Sequence, residues 1–98
     1  MARPKAGSEG HPAEPLDLEE LFIRYHPRVY AYVRYRVQDI AEAEDLTSEI
    51  MERALAHIAS YDPGKGAFST WLFRIAHNTW VNYWKRRKRR EARRVDLD

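Results

Sequence analysis

The sequence predicts a small all-α domain built from three helices. Apolar residues recur at helical spacing in three segments, cap and turn signals separate these segments, and the period-two alternation of an exposed β-strand is nowhere sustained. A chain of 98 residues is long enough for one hydrophobic core. We therefore expect a compact three-helix domain over residues 16–94. Residues 1–15 are rich in proline and glycine and predict a disordered tail.

The first helix is predicted from about Asp17 to Val37. Pro27 lies inside this segment, and because proline has no N–H to donate, we expect the helix to kink or restart there. The apolar face consists of residues at helical spacing, namely Leu18, Leu21, Phe22, Tyr25, Val29, Tyr32 and Val33.

The second helix has a clear start in the sequence. Asp39 is a good cap, and Glu42 three residues later makes a variant of the capping box. The helix is expected to stop near Ser60, before the strong turn sequence at residues 62–64. Its buried stripe is predicted to be Ala43, Leu46, Ile50, Ala54 and Ile58.

The third helix is predicted from near Ser69 to about Arg90, a length of about 33 Å. Phe68 is a candidate staple against Leu72, and the hydroxyls of Ser69 and Thr70 suit the helix start. One apolar stripe is expected in the core: Trp71, Leu72, Ile75, Ala76, Thr79 and Tyr83. A second stripe consists of Phe73, His77, Trp80 and Trp84. A three-helix domain of this size cannot easily bury both stripes.

The composition excludes several classes of function. The chain has no cysteine, so a disulfide framework, a cysteine-zinc site and a thiol nucleophile are all excluded. The four histidines lack metal-ligand spacing and no nucleophile stands beside paired carboxylates, so we expect neither an enzyme nor a metal or cofactor site. No apolar run approaches the roughly 20 residues that span a bilayer, and the N-terminus lacks the apolar centre of a signal peptide. We expect a cytoplasmic protein without membrane insertion.

One side of the second helix is almost purely acidic. It carries the five residues that we call the acidic ridge: Glu42, Asp45, Ser48, Glu49 and Glu52. Like charges at this spacing cost a few tenths of a kcal/mol per pair, which hints at a basic partner surface. A simply solvated helix face is the alternative interpretation.

The net charge of +2 conceals a strongly basic end. Residues 85–98 hold eight of the 17 Lys and Arg but only three of the 15 Asp and Glu. This run extends a helix that contains Trp, Phe, His and Asn. Cations neutralise phosphates, rings stack on bases and amides read base edges, so we interpret the helix as nucleic-acid-binding. Asn78 and Asn82 lower helix propensity, which indicates that their amides are used.

Two other interpretations of the basic run stay open. One is a frayed, solvated helix terminus. The other is a basic amphipathic helix that lies on a membrane or is held by a calmodulin-like protein.

In three segments, residues 21–30, 43–49 and 68–78, the chain resembles region 2 of bacterial sigma factors of the extracytoplasmic-function (ECF) type. The resemblance rests on three motifs in order: Ala-Glu-Asp-Leu at 43–46, Tyr-Asp-Pro-Gly at 61–64 and Trp-Leu-Phe-Arg-Ile-Ala at 71–76. It covers all of the chain except its two tails. It implies an all-α fold and two partners, core RNA polymerase and promoter DNA.

In that family, the helix that matches residues 41–58 docks on the clamp coiled coil of the largest (β′) polymerase subunit. The polymerase-binding residues predicted here are Asp45, Ser48, Glu49 and Glu52. The family more often has glutamine at the position of Ser48. The acidic ridge would thus be a docking surface.

The third helix in such proteins captures the non-template strand of the promoter −10 element and helps to melt it. Asn78 and Asn82 match positions that line the pocket for a flipped base. Primary sigma factors carry a tryptophan pair where this chain has Arg74 and Ile75, which implies weaker melting and stricter promoter choice. The predicted DNA-binding residues are Phe68, Ser69, Thr70, Trp71, Arg74, His77, Asn78, Asn82, Lys85, Arg86, Arg87, Lys88, Arg89 and Arg90.

Complete sigma factors of this group have a second helical domain, region 4, that reads the −35 element. Residues 95–98 are expected to begin a linker or tail, so the chain is either a fragment or an unusual factor. An anti-sigma protein commonly masks these surfaces in the family and is a candidate partner. Two alternatives remain: a polymerase-binding adaptor without a promoter role, and a basic helical RNA-binding module.

Overall fold

The computed structural model describes residues 17–97 of the chain, with side chains to Arg94. Three helices account for most of this range: α1 (Leu18–Arg36), α2 (Ile40–Ala56) and α3 (Phe68–Leu97). Two short 3-10 turns, Ile58–Ser60 and Pro63–Lys65, connect α2 to α3. No strand is present in the described range, which confirms the all-α fold class. The tail predicted for residues 1–15 lies outside the described residues.

Helix α1 begins and ends close to the predicted residues. The Asp17 carboxylate caps it by accepting a hydrogen bond from the backbone N–H of Glu20 at 3.2 Å. The helix continues through Pro27 as one element, so of the two expected outcomes, a kink or a restart, there is no restart. The missing proline N–H deprives only the carbonyl of Ile23 of its helical partner. Ile23 is 66% exposed, so water can solvate that carbonyl.

Helix α2 has the predicted cap but not the reciprocal capping box. Asp39 Oδ1 accepts a hydrogen bond from the Glu42 backbone N–H at 2.9 Å. The Glu42 side chain turns instead toward α3, where it binds Tyr83 and Arg87. The α-helix stops at Ala56, and the segment up to the predicted end continues as the first 3-10 turn.

The turn before α3 is held by its own side chains. The Asp62 carboxylate accepts a hydrogen bond from the Gly64 N–H at 2.9 Å. Gly66 follows with a φ of 149°, a conformation that residues with a Cβ rarely adopt. This turn sets the direction in which α3 leaves the connection.

The core lies where the three helices meet. Its buried apolar residues are Val29, Val33, Val37, Ala43, Leu46, Ile50, Met51, Ala54, Leu72 and Ala76. Thr47 and Thr79 are also buried, and each donates its hydroxyl to a carbonyl four residues earlier. Leu18 and Phe22 belong to the apolar face predicted for the first helix but are 40% and 38% exposed. They belong to the first turns of α1, where they line only a shallow groove.

Helix α3 is longer than the sequence analysis predicted. It begins at Phe68 and continues to Leu97, beyond the expected end near Arg90. Residues 85–94 contain no glycine or proline and consist mainly of strong helix formers, and Arg87 pairs with Glu91 one turn later. Of the second apolar stripe, Phe73 and Trp80 are half-buried while His77 and Trp84 are exposed, as expected for a stripe that the domain cannot fully bury.

Candidate nucleic-acid and protein interfaces

One face of α3 carries amides and then arginines. Asn78, Asn82, Arg86, Arg89 and Arg93 follow one another at spacings of three or four residues, so they share one side of the helix. We call them the amide-arginine face. All five side chains are exposed. The face runs about 22 Å along the helix axis from Asn78 to Arg93.

The two asparagines open onto a cavity of about 230 Å³ between α2 and α3. Within the described residues, neither amide has a hydrogen-bond partner, so both can offer a donor and an acceptor to a ligand. The lining residues are Arg53, His57, Ser60, Trp71, Ile75, Asn78, Thr79 and Asn82. Polar groups that converge beside an indole ring form a suitable pocket for an aromatic, hydrogen-bonding ligand.

A second cavity of about 140 Å³ lies on the other side of Trp71, under the turn that precedes α3. Lys65, Thr70 and Arg74 contribute cationic and hydroxyl groups to its wall. The Tyr61 hydroxyl donates to the Gly66 carbonyl at 3.2 Å and so ties this turn together. Trp71 is therefore a shared wall between two neighbouring cavities.

An aromatic cluster fixes the position of Trp71. The Trp71 ring lies 5.4 Å from the Phe68 ring and 5.5 Å from the Tyr61 ring, and Phe68 also packs 5.2 Å from Tyr25. Such ring pairs each contribute about 0.5–1.5 kcal/mol beyond area burial. Phe68 is half-buried in this cluster. Phe68 therefore contributes to the candidate site indirectly, because its ring holds the Trp71 ring in position. Ser69 and Thr70 lie in the first turn, and within the described part of the chain neither hydroxyl caps the helix.

Four arginines beyond the asparagines form a basic groove of about 320 Å³. They are Arg86, Arg89, Arg90 and Arg93. Across the described residues, none of the four has a carboxylate within ion-pair distance. Cations that repel one another and lack internal partners are suited to a run of phosphates.

Arg87 differs from its neighbours because it is bound internally. Its Nη1 donates to Glu42 Oε1 at 2.9 Å and to the Tyr83 hydroxyl at 3.2 Å, and its Nε donates to Glu91 at 3.3 Å. The Tyr83 hydroxyl also donates to Glu42. Burial and then the hydrogen bond to Glu42 raise the pKa of Tyr83, and the hydrogen bond to Tyr83 raises the pKa of Arg87. This cluster joins the first turn of α2 to the middle of α3.

The acidic ridge is less uniform in the structure than in the sequence. Asp45, Ser48 and Glu52 are exposed on the side of α2 that faces away from the core. Glu49 pairs with Arg53 at 3.1 Å, and Glu42 is directed toward α3. Asp45 and Glu52 have no cationic partner within the described residues, so they carry the ridge's free negative charge.

The other predicted site residues fall into two groups. Arg74 lies beside the second cavity, and Lys85 is exposed near the amide-arginine face. His77 and Lys88 lie on the opposite side of α3, where His77 Nδ1 is 3.3 Å from the Tyr32 hydroxyl. Arg53, His57, Lys65 and Arg93 line the cavities or the groove but were absent from the predicted set. The helical pattern that continues past Arg90 could have indicated Arg93.

The described residues meet neither the requirements of a membrane span nor those of a metal site. None of the helices in this range is both long and apolar enough to cross a membrane. The same range contains no group of three or more His, Asp or Glu side chains that could hold a metal ion. The candidate interfaces described above are the polar and charged surfaces of α2 and α3.

These surfaces define an all-α domain with an acidic helix beside a basic, amide-bearing helix. The chain belongs to the sigma-70 region 2 family, whose model matches residues 21–90.

Curated relatives agree with this family. The chain is 32% identical to the RNA polymerase sigma factor YlaC of Bacillus subtilis, over 70% of this chain and 39% of that protein. It is 33% identical to the ECF RNA polymerase sigma factor SigM of Bacillus subtilis, over 84% of this chain and 49% of that protein. It is 42% identical to the ECF RNA polymerase sigma factor BldN of Streptomyces coelicolor, over 66% of this chain and 25% of that protein. The chain thus spans between a quarter and a half of these relatives. No solved structure matches it significantly.

Proposed function

We propose that this chain recognises promoter DNA for RNA polymerase. In this proposal α2 docks on core polymerase, and α3 captures the non-template strand of the −10 element and helps to melt it. The observation that carries the proposal is the order of groups along one face of α3. Two unpartnered amides, Asn78 and Asn82, border a cavity walled by Trp71, and three exposed arginines continue the same face.

Strand capture follows from the chemistry of that face. Extruding a base from the duplex costs a few kcal/mol, and stacking on an aromatic ring returns about 1–3 kcal/mol per base. The Trp71 ring supplies the stacking surface, and the amides of Asn78 and Asn82 pair with the edge of the extruded base. Arg86, Arg89 and Arg93 hold the phosphates that follow, which makes binding sensitive to salt.

Docking on the polymerase would use the side of α2 that faces away from the hydrophobic core. Asp45 and Glu52 project away from the hydrophobic core, so a basic partner can bind them without disturbing the packing of the helices. The family resemblance makes the clamp coiled coil of the largest subunit the expected partner. Glu49 contributes less charge than Asp45, because Arg53 already neutralises part of it.

Promoter melting is expected to depend on the polymerase. The positions of the tryptophan pair of primary sigma factors hold Arg74 and Ile75 here, so this chain lacks the aromatic wedge. The isolated domain is therefore expected to bind duplex promoter DNA poorly and to act in the cytoplasm with polymerase. No catalytic step is part of this proposal. An anti-sigma protein that covers α2 would block the polymerase contact, and one that covers the amide-arginine face would block the DNA contact.

The test is binding of the purified chain to core RNA polymerase, with fluorescent single-stranded −10 oligonucleotides titrated into the mixture. Asp45→Arg with Glu49→Arg should abolish binding to core. Glu19→Arg with Glu20→Arg is the matched control, because it makes the same charge change on α1 and also breaks one exposed ion pair, between Glu20 and Arg24. The control should bind core normally.

Three outcomes decide between the interpretations. Binding to core with sequence-selective capture of the non-template strand supports the proposal. Binding to core without any capture of DNA assigns the chain to the polymerase-binding adaptors. Failure to bind core, together with salt-sensitive binding of any nucleic acid, assigns it to the basic RNA-binding modules and overturns the proposal.

A further inference from the structure

A cavity on the far side of α3 faces away from Asn78 and Asn82. It has a volume of about 630 Å³ and is bounded by α3 and by the link between α1 and α2. Trp80 and Trp84 come two residues after the asparagines, which places them about 200° around the helix. This cavity, which we call the tryptophan cleft, is therefore separate from the pocket proposed for the −10 base.

The floor of the tryptophan cleft is an aromatic platform. The rings of Trp80 and Trp84 are stacked, with centroids 6.4 Å apart and planes 29° from parallel. Trp84 lines the cleft and is 46% exposed, so part of its indole ring is accessible to a ligand. An exposed indole in a cleft can accept a planar ligand without rearrangement of the core.

Two cations lie beside these rings. The Arg36 guanidinium is 5.8 Å from the Trp80 ring centroid, and the Lys88 ammonium is 5.6 Å from the Trp84 ring centroid. Within the described residues, neither cation is paired with a carboxylate. The unneutralised charge of the cleft is thus positive.

The two carboxylates that line the cleft already have partners. Asp39 caps α2, and Glu91 pairs with Arg87. They therefore add little free negative charge that would repel an anionic ligand. Arg36 also stacks on the Tyr32 ring at 3.6 Å and donates one N–H to the Tyr32 carbonyl, so its positive charge remains without a carboxylate partner. A partly exposed indole beside two such cations complements a base attached to a phosphate.

We propose that the tryptophan cleft is a second binding site for single-stranded nucleic acid. A base stacks on Trp84, and Lys88 and Arg36 bind the flanking phosphates. This site goes beyond the proposed capture of the −10 strand and does not depend on it. With a strand on each side, α3 would hold the two strands of an opened duplex apart.

The experiment uses the full chain with Trp71→Phe, so that tryptophan emission comes only from Trp80 and Trp84 in the cleft. A short oligothymidine is titrated at low salt, and we expect it to quench this emission. Adding Trp84→Ala should weaken binding in the cleft by roughly fivefold or more, as expected for the loss of one stacked base. Lys88→Ala should also weaken it. Leu55→Ala is the control, because Leu55 is 44% exposed and lies on α2 away from the cleft.

The outcomes separate this proposal from the proposed promoter function. Asn78→Ala with Asn82→Ala should leave the quenching of Trp80 and Trp84 intact, since those amides lie on the other face. Absence of quenching, or quenching that Trp84→Ala and Lys88→Ala do not weaken, would overturn the second site. If Trp84→Ala instead lowers binding to core polymerase and leaves oligothymidine binding unchanged, the cleft is a protein contact and the proposal is wrong.

Discussion

Arg87 lies 2.9 Å from Glu42, so one cation of the basic run binds α2 and is not free for phosphate. The Tyr83 hydroxyl binds both side chains and completes the junction between the two helices. Exposed ion pairs stabilise proteins by only about 0–1 kcal/mol. The junction therefore matters chiefly for orientation. It fixes the direction of the arginine-bearing half of α3 relative to the helix that carries the acidic ridge.

The two neighbouring arginines should differ in their effect on DNA binding. Arg86→Ala should reduce the slope of log affinity against log salt for single-stranded DNA by about 0.7, the value for one lost phosphate contact. Arg87→Ala should reduce it less, because Glu42, Tyr83 and Glu91 already bind that guanidinium. Fluorescence anisotropy across a salt series measures both slopes. If both variants reduce the slope by about 0.7, Arg87 also contacts a phosphate.

Tyr83 should make the stability of the domain fall in alkaline solution. Its pKa is raised in the folded chain, so the folded state holds this proton more tightly than the unfolded state. The free energy of unfolding is therefore expected to fall as pH rises above about 10, the ordinary tyrosine pKa, toward the raised folded value. Urea unfolding at several alkaline pH values should show this loss in the native sequence.

Phenylalanine variants provide the controls for that measurement. Tyr83→Phe should remove the part of the pH dependence that belongs to this hydroxyl. Tyr35→Phe should keep it, because Tyr35 is 88% exposed and lies away from the junction. If both variants retain the full dependence, another group causes it.

Substitution of the two asparagines should change selectivity more than overall affinity. Asn78→Ala and Asn82→Ala each remove an amide that borders the cavity, while the arginines of the same face remain. A lost base contact of this kind costs about 1–3 kcal/mol against the preferred sequence. Binding of matched and mismatched −10 oligonucleotides to the polymerase-bound chain measures the change. A uniform loss across all sequences would argue that the amides contact the sugar-phosphate backbone.

The core should be most sensitive at Leu72, which is fully buried between the helices. Leu72→Ala should lower the free energy of unfolding by about 2–5 kcal/mol, as for other buried leucines. Leu55→Ala removes the same atoms from a side chain that is 44% exposed and should cost about 0.5 kcal/mol or less. Urea denaturation compares the two. Similar losses for both variants would contradict the position of the core.

The helices could be predicted from the sequence because their signals are local. The Asp39 carboxylate caps an N–H only three residues away, and the buried residues Val29 and Val33 are only four residues apart. One error arose where distant parts of the chain meet. Glu42 fits a capping box by spacing, but Tyr83 and Arg87 draw its carboxylate away across more than 40 positions of sequence. No local pattern contains that contact.

In the candidate site, too, residues with a local signal could be predicted, and residues that depend on contacts between distant parts of the chain could not. Asn78 and Asn82 stood out because asparagine is costly inside a helix. Arg53 and His57 did not, because they join the cavity only through the packing of α2 against α3. The charge of the basic run was plain in the sequence. Its separation into free arginines and the internally bound Arg87 required the three-dimensional arrangement.

The outer part of α3 is a polyelectrolyte whose helicity depends on its counterions. Every side chain from Lys85 to Arg94 is exposed, so tertiary burial does little to hold these turns in place. Repulsion between arginines one turn apart opposes the helix by about 0.2–0.5 kcal/mol per pair. A nucleic-acid backbone replaces that repulsion with attraction. If α3 binds nucleic acid as proposed, its outer turns are therefore most rigid, and extend furthest, when a strand already lies along them.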